Sequence, residues 1–80
     1  MRLRRPIHAA DPRLDLLDAQ LESYMNWRCE TRFVAESYRR WRFAPSYQRA
    51  VAFERYVAAL DREELAAGDY RRTTELVHGT

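Results

Sequence analysis

The sequence has no lysine and very little cysteine, histidine or glycine. All 14 cationic residues are arginine, and the chain has one cysteine, two histidines and two glycines. One cysteine cannot form an intramolecular disulfide, and His8 and His78 provide no cluster of metal ligands. Gly68 and Gly79 do not make a phosphate-binding loop. We therefore expect no metal and no cofactor.

Long apolar runs are missing as well. A membrane-spanning helix needs about 20 predominantly apolar residues, and the sequence contains no such run. The basic segment 1–5 is followed by Pro6 and His8, whereas a signal peptide would continue with an apolar stretch. The sequence therefore predicts a cytoplasmic protein that has no membrane partner.

What the sequence does have is charge of both signs. Twelve acidic residues offset the arginines, which leaves a net charge of +2. So small an excess is a weak indication of a nucleic-acid partner. The exclusive use of arginine fits a GC-rich bacterial genome, with selection for binding phosphate or carboxylate as the alternative. A single domain of 80 residues has a small core, and self-association is a common way to bury more surface.

One break divides the chain, at Phe43-Ala44-Pro45-Ser46. Asp11 followed by Pro12 is typical of a helix start, and Ser46 can cap a second helix. The sequence therefore predicts an all-α fold, an antiparallel two-helix hairpin. The expected organisation is an irregular basic arm (1–10), a hairpin domain (11–78) with a helix over about 12–42, a turn at 43–46 and a helix over about 47–77, and a tail (79–80).

The first predicted helix carries an apolar stripe that changes direction. The stripe consists of Leu14, Leu17, Leu21 and Tyr24 or Met25, and continues along a different line with Trp27, Val34, Tyr38 and Trp41. This pattern predicts a buried face that slides around the helix. We expect local overwinding, or a change of packing partner, near residues 25–28.

The second predicted helix repeats every seven residues, as in a coiled coil. Phe53, Leu60 and Ala67 share one seam position, Ala50 and Val57 share its partner, and Ala52, Ala59 and Ala66 form an alanine column. Such a column would let another helix approach closely. Gly68 costs a helix roughly 1 kcal/mol relative to alanine. We expect the helix to continue to about Val77, with a kink or a short third helix after Gly68 as the alternative.

A turn centred near residues 44–45 sets the pairing of the two helices. Residues whose numbers add to about 89 then face each other, which places Glu64 opposite the segment 25–28. We expect Arg28 and Glu64 to pair inside the hairpin and fix its register. The alternative is that both side chains point to solvent.

A candidate basic surface runs along the first helix. It consists of a row of helical arginines and the arginines of the arm, namely Arg28, Arg32 and Arg39 with Arg2, Arg4 and Arg5. Phosphate groups are the expected ligands of such a strip. The alternative is a solvated face that Glu36 and acidic residues of the second helix neutralise.

Aromatic residues are more numerous than one helix–helix seam can cover. The chain has two Trp, five Tyr and three Phe. The candidate core or interface aromatics are Trp27, Phe33, Tyr38, Trp41, Phe53 and Tyr56, since aromatic side chains are enriched at interfaces. Cys29 is interpreted as a small core or interface residue, because a catalytic thiol needs a positioned base. Its neighbours Arg28 and Arg32 leave a redox role open.

Several segments resemble known families. Asn26–Glu30, Glu36–Trp41 and Ala52–Glu64 resemble small uncharacterised α-helical proteins of GC-rich actinobacteria, and this resemblance implies no activity. Arg13–Leu21 is similar to the first helix of small helical chorismate mutases. That similarity implies cationic groups and a Glu or Gln that converge in a dimer pocket, although the second half of the chain departs from the pattern.

The sequence thus favours a non-enzymatic interaction or adaptor protein. Its hairpin is expected to pair with a second copy as a four-helix bundle, through an apolar and aromatic helix face that meets itself or a protein partner. A nucleic-acid-associated regulatory protein is the alternative. A small helical-bundle enzyme of chorismate-mutase-like type is the third.

Overall fold

The computed structural model describes residues 12–79. Over these residues the chain forms two α-helices and no strand. Helix α1 is Pro12–Arg42, helix α2 is Arg49–Gly79, and a 3-10 turn at Ser46–Gln48 precedes α2. The helices pack against each other along their length, which confirms the predicted all-α helical hairpin. The basic arm and Asp11 lie outside the described residues.

The connection between the helices is longer than the sequence suggested. The amides of Phe43 and Ala44 still donate to carbonyls of α1, over 3.1 and 3.3 Å. Pro45 then turns the chain into an extended conformation (φ −61°, ψ 157°). The carbonyl of Pro45 accepts from the amide of Gln48 over 2.9 Å, which closes the 3-10 turn. Ser46 therefore lies in this turn, and α2 begins at Arg49.

The longer connection shifts the register of the hairpin. Gln20 contacts Thr74, Tyr38 contacts Tyr56 and Trp41 contacts Phe53, and the residue numbers in each pair add to 94. The other contacts between the helices give sums from 90 to 97, so the register is centred near 94 and not near 89. The pairing is displaced because residues 46–48 belong to the turn and not to the second α-helix.

The predicted pairing of Arg28 with Glu64 inside the hairpin is wrong. Both side chains are exposed, and neither takes part in the ion pairs found between residues 12–79. The interhelical ion pair at this level joins Arg62 Nε to Glu30 Oε1 over 3.3 Å instead. The physical reason is the phase of the helices, since the one-residue steps from Glu63 to Glu64 and from Trp27 to Arg28 turn the side chains away from the seam.

The seam of α1 runs straight from end to end. Its residues follow alternating steps of four and three, and all are partly buried: Leu16, Gln20, Ser23, Trp27, Glu30, Val34, Ser37 and Trp41. The predicted sliding of the buried face is wrong, because the α-helix continues regularly through residues 25–28. The leucine stripe that suggested the slide lies beside the seam and stays exposed.

The seam of α2 also follows alternating steps of four and three residues. It lies beside the predicted line of Phe53, Leu60 and Ala67. It consists of Ala52, Tyr56, Ala59, Glu63, Ala66, Tyr70, Thr73 and Val77. Ala59 and Ala66 are 0 % and 3 % exposed, and they are the buried apolar side chains of the described chain. The alanine column thus forms the contact itself, because the absence of larger side chains lets α1 come close. The expected seam residues Phe53, Val57 and Leu60 flank it.

Polar groups fill the part of the seam that lies far from the turn. Gln20 Nε2 donates to Thr74 Oγ1 over 3.1 Å, and the hydroxyls of Ser23 and Thr73 are 2.7 Å apart. These pairs satisfy each other's hydrogen-bonding groups, so polar residues occupy positions that a coiled coil usually gives to apolar ones.

Helix α2 continues through Gly68 without interruption. The short third helix considered as an alternative does not occur in residues 49–79, and Gly68 has no positive φ. The glycine backbone is buried beneath the side chains of Arg71 and Arg72.

Candidate interaction surface

Two aromatic clusters join the two helices of the hairpin. Near the turn, Trp41 stacks on Tyr56 with ring centroids 5.5 Å apart and planes 11° from parallel. Phe53 packs on Trp41 at 5.1 Å and Tyr38 packs on Tyr56 at 5.6 Å. Each ring pair joins α1 to α2, so this cluster holds the turn end of the hairpin together.

The second cluster lies near the middle of α1. Trp27 stacks on Tyr70 with centroids 5.6 Å apart and planes 10° from parallel, and Tyr24 packs on Tyr70 at 5.4 Å. The indole of Trp27 also donates to Glu63 Oε2 over 2.7 Å. The two tryptophans therefore lie in the seam, each against a tyrosine of α2.

One side of the hairpin carries a concentration of large apolar side chains. Tyr24 and Tyr38 of α1 and Phe53 of α2 lie on this side, and each contacts a seam residue of the other helix. Leu17 and Leu60 lie at seven-residue intervals from them, and Leu14, Leu21 and Val57 lie three or four residues away on the adjoining lines. We call this surface the apolar face, and it consists of Leu14, Leu17, Leu21, Tyr24, Tyr38, Phe53, Val57 and Leu60. Each of these eight side chains is 38–57 % exposed. Leu17, Leu21 and Tyr24 also share a shallow depression with Gln20 and Tyr70.

The opposite side of the hairpin is charged. The ion pair of Arg62 with Glu30 lies here. Arg55 and Asp69, seven residues before and after Arg62 on α2, are exposed on the same side. Asp69 pairs with Arg72 within α2. Phe33, Leu65 and Leu76 are exposed singly among these charges. We call this side the charged face, and its scattered apolar residues are ordinary for a protein surface.

The seam between the helices supplies little apolar burial. Within residues 12–79 no large side chain is fully buried, and two alanines make up the buried apolar core. Fully burying one leucine or phenylalanine contributes about 1.5–3 kcal/mol, and the eight large apolar side chains of the apolar face stay 38–57 % exposed. An isolated hairpin therefore leaves a substantial source of hydrophobic stabilisation in contact with water.

The candidate basic surface is present in part. Arg28, Arg32 and Arg39 are exposed, and the last two line a shallow depression with Cys29, Phe33, Ala35 and Glu36. Glu36 places a negative charge between the arginines, which reduces the attraction of this strip for phosphate. Cys29 is an exposed free thiol and not a core residue. The arginines of the arm, Arg2, Arg4 and Arg5, lie outside the described residues.

Residues 12–79 contain no group of three metal-ligating side chains. The depressions found on residues 12–79 include one beside the turn, lined by Phe43, Tyr47 and Val51, which is open to solvent. Neither of the two helices is long and apolar enough to cross a membrane.

Comparison with known proteins found no match to this chain among family models, curated proteins or solved structures. The resemblances to actinobacterial helical proteins and to chorismate mutases therefore stay predictions.

Five of the six candidate aromatics, Trp27, Tyr38, Trp41, Phe53 and Tyr56, pack on rings of the other helix. The sixth, Phe33, lies on the charged face, 47 % exposed, and the candidates did not include Tyr24 and Tyr70. The leucines of the apolar face were assigned to the seam. The sequence did contain a signal for the seam of α1. Between Trp27 and Trp41, at alternating steps of three and four residues, lie Glu30, Val34 and Ser37, and these residues mark the line of contact.

Proposed function

We propose that this chain is a non-enzymatic helical interaction protein that pairs with a second copy of itself through the apolar face, as a homodimeric four-helix bundle. The observation that carries the proposal is the distribution of its large apolar side chains. Eight of them are 38–57 % exposed on one side of a hairpin whose own buried core is two alanines. Contiguous apolar surface of this kind is typical of protein interfaces.

The size of the apolar face is adequate for a stable dimer. A helix of 31 residues is about 46 Å long at 1.5 Å per residue. Two helices packed 8–10 Å apart present a face about 18–20 Å wide. The resulting area of roughly 800 Å² per subunit is that of a standard protein–protein interface.

A second copy fits the face because both helices contribute to it. Five of its side chains belong to α1 and three, Phe53, Val57 and Leu60, belong to α2, so two hairpins can bury them face to face around a two-fold axis. The charged face would then remain outward on both sides of the bundle. This arrangement also covers the open depression at Leu17, Leu21 and Tyr24.

Sedimentation equilibrium of matched variants tests this proposal. Leu21→Arg places a charge on the apolar face, whereas Leu65→Arg places the same charge on the charged face, and the two leucines are 57 % and 71 % exposed. We expect Leu21→Arg to weaken the dimer by at least roughly tenfold, equivalent to about 1.4 kcal/mol, and Leu65→Arg to leave the affinity unchanged. Equal effects of both variants would contradict the proposal.

The two alternative functions require different properties of the protein. Nucleic-acid binding through Arg28, Arg32 and Arg39 requires affinity that falls steeply with salt, and Arg32→Glu with Arg39→Glu would abolish it. A chorismate-mutase-like enzyme requires several cationic groups that converge at the dimer centre. Dimerisation without salt-sensitive binding of a mixed-sequence DNA duplex favours the interaction protein over the first alternative.

A further inference from the structure

Arg28 and Glu64 interrupt the apolar face halfway along the hairpin. Arg28 lies seven residues after Leu21 on α1, and Glu64 lies seven residues after Val57 on α2, so each continues an apolar line of that face. Residue 28 is next to the midpoint of α1 and residue 64 is the midpoint of α2. Both side chains are exposed, and both lie outside the ion pairs formed within residues 12–79.

The two charges lie at the same level but on opposite edges. In the observed register the residue facing position 28 is position 66, so Glu64 is displaced by about 3 Å along the helix axis. Tyr24 and Tyr38 contact α2 directly, whereas the line of Leu21 and Arg28 lies farther from the seam. The apolar face therefore carries a positive charge on its α1 edge and a negative charge on its α2 edge.

We infer that these two residues form intermolecular ion pairs that fix the orientation of the dimer, with both turns at the same end. This inference rests on the proposed self-association. When the two-fold axis runs along the helices, α1 of one subunit lies against α2 of the other. Arg28 then meets Glu64 of the partner subunit, and the symmetry makes the contact twice.

The opposite orientation brings like charges together. When the two-fold axis crosses the helices, the turns lie at opposite ends and each helix lies against its own copy. Since residues 28 and 64 are both close to the helix midpoints, Arg28 then approaches Arg28 of the partner subunit and Glu64 approaches Glu64 of the partner subunit. Like charges at a partly desolvated interface are unfavourable, so they act against this arrangement.

The remaining pairs on these outer lines agree with the same-end orientation. Ala35 falls opposite Val57 of the partner subunit, and Arg42 falls opposite Ala50 of the partner subunit. Leu21 falls opposite Arg71 of the partner subunit, whose aliphatic stem can cover it. Among residues 12–79 these lines then bring no like charges together. Complementary charge thus selects one orientation, while the apolar residues supply the affinity.

Charge reversal in the full chain tests the inference. We expect Arg28→Glu and Glu64→Arg each to weaken the dimer by roughly tenfold or more, about 1.4 kcal/mol, because each places two like-charge pairs in the interface. The variant that carries both changes should regain an affinity close to the original. An equimolar mixture of the two single variants should form heterodimers in preference to either homodimer, which shows that the pairs join different chains. Arg32→Glu, an equal charge change outside the apolar face, serves as the control.

The orientation itself is measured with a spin label at the turn. In a Cys29→Ser, Ser46→Cys chain, the same-end dimer holds the two labels within about 30 Å, whereas opposite-end packing separates them by about 46 Å, the length of a 31-residue helix. A long distance, or a dimer whose affinity ignores both charge reversals, overturns this inference while the proposed dimer stands. An unmodified chain that stays monomeric overturns both.

Discussion

The indole Nε1–H of Trp27 donates a hydrogen bond to Oε2 of Glu63 across the seam, over 2.7 Å. Both residues are partly buried, and the indole of Trp27 is also stacked on Tyr70, two helical turns after Glu63 on α2. The bond gives the carboxylate of Glu63 a specific donor in the seam. Trp27 and Glu63 come within bonding distance in one register of the two helices only. We regard it as the contact that aligns the two helices.

Replacing Glu63 tests this assignment. Glu63→Ala removes the acceptor and leaves the partly buried indole N–H without its partner, which we expect to lower the free energy of unfolding by about 1–2 kcal/mol. Glu63→Gln retains an oxygen acceptor and should lose less. The measurement is urea unfolding followed by circular dichroism. Glu64→Ala, at the adjacent exposed position, is the control, measured at a concentration where the chain is monomeric.

The alanine column should not tolerate larger side chains. Ala59 is 0 % exposed against α1, so Ala59→Leu forces the helices apart and should destabilise the hairpin by about 1–3 kcal/mol. Ala58→Leu adds the same atoms at an exposed position and should be nearly neutral. Thermal unfolding of the two variants decides the point, since equal melting temperatures would show that the column does not form the contact.

Gly68 offers a stabilising substitution. It lies inside a continuous helix with negative φ, and a Cβ there would be 3.7 Å from Arg72 Nη1 and 3.8 Å from Arg71 Nη2, which are ordinary contacts. Gly68→Ala should therefore stabilise the fold by about 1 kcal/mol. For a domain of this size that is a rise of roughly 4–8 °C in Tm. A fall in Tm would mean that the helix is interrupted at this residue in solution.

The stability of the fold should depend on protein concentration. If the apolar face is covered by a second copy, dissociation and unfolding are linked and Tm rises as the protein is concentrated. The Leu21→Arg variant should show this dependence only at higher concentrations, whereas Leu65→Arg should match the unmodified chain. Melting curves over a hundredfold range of concentration provide the measurement, and a constant Tm for the unmodified chain would argue against a dimer.

The sequence was informative about the helices and less so about how they meet. Pro45 marks the end of α1 in the sequence itself, because proline lacks an N–H and restricts the residue before it. The 3-10 turn at Ser46–Gln48 has no comparable signature. It shifted the register from about 89 to about 94. The phase of the helices was also misjudged, because the seam passes through Trp27 and Glu63 and not through Arg28 and Glu64.

The seam was misassigned for a related reason. Periodicity analysis follows the large apolar residues, and in α1 these are the leucines of the apolar face. The observed seam instead uses Gln20 and Ser23, whose polarity hides them from such analysis until their partners Thr74 and Thr73 are seen. In α2 the smallest residues form the contact because close approach of helices requires them. The sequence therefore pointed to surplus apolar surface correctly while placing part of it on the inside.

The most direct test of the account is sedimentation equilibrium of the unmodified full chain from low micromolar to near-millimolar concentration. We predict that the apparent mass rises from that of the 9.6 kDa monomer to twice that value and then stops, as expected for a closed two-fold dimer. A chain that remains monomeric and cooperatively folded over the whole range would contradict the claim that the apolar face binds a second copy.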